Sequence, residues 1–210
     1  VEQVLATLKD WQSLVGAIVG AFASLSVAFL VAYINRRRED RSAAMVLIGS
    51  LVNVRSAYLV LDELAKKENV SEADYPMWLA GRLASTRPKI SPLFEGCVAK
   101  LMPVDAHLAA HLELFGIVYH SVEHHINKLV RDIHHFQEHG KLLREKKDAV
   151  ADAKVIEHGL AKAAKYAECA EYLLSKLVLG NWPTLHRVKR LLLPSNHECN
   201  CKRLLGTGAH

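Results

Sequence analysis

Residues 11–34 read WQSLVGAIVGAFASLSVAFLVAYI, 24 positions without a charge. Eighteen are apolar, and the others are Gln12, three Ser and two Gly. About 20 such residues in a helix cross a hydrocarbon core of about 30 Å. A core helix of a water-soluble domain would show a polar stripe, and this stretch shows none. A cleaved signal peptide would want a basic lead-in and a shorter apolar run. Here Glu2, Lys9 and Asp10 precede the stretch, and the basic residues Arg36, Arg37, Arg38 and Arg41 follow it. The expectation is a transmembrane helix over 11–34 with a short external N-terminus, 1–10. The Arg-rich exit places residues 36–210 in the cytoplasm and offers a surface for anionic headgroups. Trp11 and Tyr33 stand at the two ends, where amphipathic rings favour the interface.

Within the span, Gly16, Gly20, Ser24, Ala28 and Ala32 recur every fourth position. Small residues at that spacing form a ridge on which another helix can approach closely. The ridge points to self-association or docking on a partner helix.

The 210 residues are 50% apolar and 23% charged, with a mean hydropathy of +0.07. That balance excludes a disordered chain and a polytopic membrane protein. The part after the span can bury a core of its own. Ala44, Leu47, Leu51, Val54, Tyr58, Leu61 and Ala65 alternate steps of three and four, which predicts a juxtamembrane helix over 35–68. Pro76, Pro88, Pro92 and Pro103 then mark a connector, 69–103, with short helices near 72–84 and 92–101. Ser71 is the expected N-cap of the first.

From Leu108 the sequence carries a 4-3 seam: Leu112, Phe115, Tyr119, Val122, Ile126, Leu129, Ile133, Phe136, Gly140 and Leu143. The register fails at the charged run Arg144-Glu145-Lys146-Lys147-Asp148. A second seam opens in a new phase: Ala153, Ile156, Leu160, Ala163, Ala167, Ala170, Leu174 and Leu177. The phase break predicts a turn, hence an antiparallel coiled-coil-like hairpin over 104–182 built from helices 104–143 and 149–180. One helix of over 70 residues is the alternative. Gly180-Asn181-Trp182-Pro183 is a stop signal, and a basic tail, 183–210, completes the chain. No strand-like alternation occurs, so the fold class is all-α: an N-terminal transmembrane helix followed by a cytoplasmic helical bundle.

Eight of the 12 histidines lie between residues 107 and 139. Three pairs, His107/His111, His120/His124 and His135/His139, have the i, i+4 spacing that lets two imidazoles share a metal. On a helical wheel His120, His124 and His135 fall opposite the seam, whereas His107, His111 and His125 fall on or beside it. His107, His111 and His125 are therefore the candidate ligands of a zinc, iron or haem site. His197-x-Cys199-x-Cys201 is a second candidate zinc cluster. The expected state is nevertheless without a cofactor. The four cysteines, in a cytoplasmic location, are expected to be reduced thiols.

No Gly-rich phosphate loop, nucleophile elbow, zinc-protease helix or kinase set is present. The positive charges, net +5, are not gathered on a recognition helix, so nucleic acid is not an expected partner. The reading is a non-enzymatic, membrane-anchored interaction protein: a scaffold, sensor or accessory subunit with a protein partner or a second copy. The alternatives are a metal- or haem-binding bundle and a membrane-perturbing toxin.

Asp10-Trp11-Gln12, the apolar span, Arg36-Arg37-Arg38 and Ser42-Ala43-Ala44 together resemble a type of uncharacterised bacterial single-pass inner-membrane protein. The resemblance covers the N-terminal quarter. It implies an inner-membrane location and carries no activity or site residue.

Overall fold

The computed structural model describes residues 2–139, 146–180, 200, 201 and 203–206; for 2–10, 12, 13, 136, 137 and 146 it describes the backbone alone. Among the described residues five α-helices follow in order: α1 (Glu2–Lys67), α2 (Tyr75–Thr86), α3 (Phe94–Leu101), α4 (Ala106–His139) and α5 (Lys146–Leu174), the last continued by a π-helical turn, Ser175–Leu179. No strand occurs among the described residues. The chain divides into two compact units, Val1–Arg41 and Ser42–His210.

The first unit is helical from Glu2. It contains a stretch long and apolar enough to cross a membrane. Every described side chain from Trp11 to Ile34 is exposed, Phe29 the most, at 74%. Exposure of this kind separates it from a core helix, whose apolar face would be covered. The serines are satisfied locally: Ser24 Oγ donates to the Gly20 carbonyl at 2.9 Å and Ser26 Oγ to the Phe22 carbonyl at 2.8 Å. Back-bonding of this kind leaves neither hydroxyl seeking water.

In the second unit the three-four stripe of α1 faces inward. Ala44, Leu47, Leu51 and Val54 are fully buried, and Leu61 and Ala65 nearly so. Burying a leucine side chain contributes about 1.5–3 kcal/mol, which is why this stripe fixes the rotation of α1. Arg55 on the flank pairs with Glu171 of α5 at 2.6 Å.

Helix α2 starts at Tyr75, three residues later than Ser71 would set it as a cap. Ser71 closes the preceding turn instead: its hydroxyl donates to Asp74 Oδ2 at 2.7 Å and accepts from the Asp74 amide at 3.2 Å. Pro76 sits in the first turn of α2, where a missing amide hydrogen costs nothing. Residues 87–91 are pinned by their neighbours. Asn53 donates to the Lys89 carbonyl at 2.9 Å and the Ser91 amide donates to Ser50 Oγ at 3.0 Å. Arg87 reaches Asn127 at 2.8 Å, and the Tyr119 hydroxyl donates to the Pro88 carbonyl.

Asp105 caps α4, its Oδ1 accepting from the amides of His107 and Leu108 at 3.0 Å each. Helices α4 and α5 run antiparallel. His125 meets Asp152, Val122 meets Gly159, and His111 meets Tyr166, so later residues of α5 face earlier ones of α4. The two seams interlock: Leu108 to Leu129 are buried on α4, and Ala153 to Leu174 on α5. Ile133 departs from the expected seam and is 46% exposed; Gly140 and Leu143 lie outside the described residues. Glycine is required at 159, because a Cβ there would stand 2.5 Å from Val122 Cγ2. It is required again at 180, where a Cβ would meet the Lys176 carbonyl oxygen at 2.8 Å.

Candidate metal centre

Three elements converge on one buried point. Helix α4 brings His111, α5 brings Cys169, and the helical pair Asn200-Cys201 brings Cys201. His111 is fully buried, Cys169 is 4% exposed and Cys201 3%. One donor atom from each lies within 4.8 Å of the others. Cys169 and Cys201 form a disulfide with Cα atoms 5.7 Å apart. This corrects the expectation of free thiols at these two positions; Cys97 is free. Cys201 is covered, and Leu204 and Leu205 pack on the core.

His111 sits there because position 111 lies beside Leu108, Leu112 and Phe115 on the inward stripe of α4. Its ring meets Tyr166 with centroids 5.9 Å apart. Neither ring nitrogen makes a hydrogen bond of good geometry among the described residues, a weak polar contact with the Cys201 backbone aside. Burial lowers its pKa to about 4; the neighbouring His107 pushes the same way, while the Cys201 backbone and Asp105 pull weakly against them. The imidazole is therefore neutral at pH 7 and keeps a lone pair.

The other candidates fall elsewhere. His107 is half-buried one turn before His111, its Nδ1 4.0 Å from Asp105. His125 is fourteen residues further along the same helix, about 21 Å away at 1.5 Å per residue. One ion cannot bridge that distance, so His107, His111 and His125 do not form a single site. His125 has a different partner: its Nδ1 lies 2.6 Å from Asp152 Oδ1. His197 and Cys199 lie outside the described residues. Of the expected His197-Cys199-Cys201 cluster, Cys201 alone is described, and it is tied to Cys169.

The other histidines of α4 lie on its outer face. His120 lies between Glu95 at 3.7 Å and Glu123 at 3.6 Å. His135 and His139 stack at 4.4 Å between centroids. In the first unit, the ridge Gly16, Gly20, Ser24, Ala28 and Ala32 is exposed throughout, and a Cβ on Gly16 or Gly20 would meet nothing within 4 Å. Arg36 and Arg38 are exposed, Arg37 and Arg41 half-buried.

Sequence reasoning missed Cys169. The available signal was register. The pairing of Val122 with Gly159 implies that three turns away, back along α4 and forward along α5, His111 meets the region of Cys169. No protein-family model, curated protein or solved structure matches this chain.

Proposed function

We propose that this protein is a single-pass inner-membrane protein with its N-terminus outside and residues 36–210 in the cytoplasm. Its role is that of a scaffold, sensor or accessory subunit, with α4 and α5 as a coiled-coil-like hairpin stiffening a bundle presented to a protein partner. The observation that carries the reading is the uncovered apolar stretch from Trp11 to Ile34, followed at once by Arg36, Arg37, Arg38 and Arg41. A second observation supports the interaction role. On the outer side of α1, Met45, Val52 and Leu59 are 62%, 42% and 47% exposed at seven-residue spacing. Such a stripe suits a partner helix. The open ridge at Gly16 and Gly20 suits association within the membrane.

Two measurements test the reading. A reporter active only in the cytoplasm, fused to the C-terminal end, should be active, with the protein retained in the membrane on alkaline extraction. An inactive reporter or extraction into the soluble fraction would contradict it. A photo-crosslinking residue at Val52 should give one discrete adduct in cells, lost when Met45 and Leu59 are changed to Asp. A smear or no adduct would remove the interaction role.

A further inference from the structure

We propose that His111, Cys169 and Cys201 form a zinc site, and that the Cys169–Cys201 disulfide is the oxidised alternative of the same clasp. In either state the clasp fastens the helical turn carrying Cys201 onto α4 and α5.

The donor set argues for the ion. Two thiolates and an imidazole are ligands that zinc selects, at about 2.3 Å for sulfur and 2.0–2.1 Å for nitrogen. A tetrahedral ion with those bonds sets its donors roughly 3.6–3.8 Å apart. The three donor atoms already lie within 4.8 Å of one another, so modest side-chain rotation closes the site. His111 supplies the independent observation. It is fully buried, and neither ring nitrogen makes a hydrogen bond of good geometry among the described residues, a weak contact with the Cys201 backbone aside. An orphaned polar group of this kind is unfavourable in a buried site. It is explained if one nitrogen is a ligand. Three protein donors leave a tetrahedral ion one position for water.

The exchange balances. Two equivalents of a small thiol, or one dithiol, supply two electrons and two protons to the disulfide and leave as their own disulfide. Cys169 and Cys201 are then thiols. Zinc displaces both thiol protons to solvent as the two Zn–S bonds form. In a compartment kept reducing by thiols, the zinc form is the resident one.

The test uses the full chain in detergent, reduced with a phosphine, loaded with zinc sulfate and dialysed. One zinc per chain is expected by elemental analysis, with Cys169→Ser and Cys201→Ser each losing it and His111→Leu binding at least about tenfold more weakly. Cobalt loading of the wild-type chain should give thiolate-to-cobalt charge-transfer bands. Protection from alkylation needs no variant: zinc should slow modification of Cys169 and Cys201 and leave Cys97 unchanged. Absence of zinc from the reduced chain would overturn the proposal. So would equal zinc in the three variants, or alkylation of Cys169 and Cys201 at the same rate with and without zinc.

Discussion

His111 on α4 and Cys169 on α5 face each other across the helix pair, their donor atoms within 4.8 Å and both side chains closed to water. Neither residue is adjacent in sequence to the other or to Cys201. The antiparallel register of two long helices brings them together, and the third donor arrives from the far C-terminal region. Among the described residues, a fully buried imidazole without a hydrogen bond of good geometry stands beside two sulfurs.

The unpartnered imidazole has a consequence for stability. In the metal-free, disulfide-bonded protein, His111→Leu should leave the unfolding free energy unchanged or raise it by about 1 kcal/mol, because the desolvation cost of an unpaired polar group disappears. Chemical denaturation under oxidising conditions measures this. A loss above about 2 kcal/mol would mean that the ring makes an essential contact in the oxidised form.

The clasp should be worth measuring by removal. The disulfide closes a loop with a sequence separation of 32, for which chain-entropy reasoning gives roughly 3–4 kcal/mol. Reduction in the presence of a chelator should lower stability by about that amount and open the helical turn carrying Cys201 to protease. Adding zinc to the reduced protein should restore protection. Protease resistance unchanged by reduction and chelation together would show that the C-terminal turn is held by packing alone.

Gly159 offers a test of the closeness of α4 and α5. Alanine is favoured over glycine in a helix by about 1 kcal/mol, yet a Cβ here would stand 2.5 Å from Val122 Cγ2. Gly159→Ala should therefore destabilise by about 1–2 kcal/mol through overpacking. In a Val122→Ala background the same substitution should stabilise. That reversal of sign in a double-mutant cycle reports direct contact, and additive effects would place the two residues apart.

Tyr119 sets an alkaline limit. Burial pushes its phenol up to about 12, Glu123 adds to the shift and Arg87 opposes it. The unfolded phenol, near 10, loses its proton first. Its contribution, roughly 2–3 kcal/mol, is thus fully present below pH 10 and is lost as pH rises through about 12. Tyr119→Phe should cost about 1 kcal/mol at pH 7, through the lost bond to the Pro88 carbonyl. It should also flatten the alkaline slope. An unchanged slope would assign the pH dependence to other groups.

Much of the fold was legible because helices write their buried face into the sequence. The stripe from Ala44 to Ala65, half-buried Tyr58 apart, and the seam from Ala153 to Leu177 match the buried positions. The phase change near Lys147 marked where the chain reverses. Element starts were less legible. Ser71 has the chemistry of a cap but serves a turn, because Pro76 fixes the opening turn of α2 later. The site was half legible. His111 stood out as a polar residue on an apolar stripe, and Cys201 as one of a cysteine pair, but each was grouped with neighbours in sequence. His107 and His125 share a helix with His111, and rise along an axis separates residues as surely as rotation aligns them. Cys169 sits beside the seam as a small apolar residue would, and its chemistry shows once the register is known.

X-ray absorption at the zinc edge of the reduced, zinc-loaded full chain tests the central claim most directly. The expected spectrum has two sulfur neighbours at about 2.3 Å and nitrogen at about 2.0–2.1 Å, and the Cys169→Ser chain retains no zinc to give one. A first shell of oxygen and nitrogen alone would contradict the account.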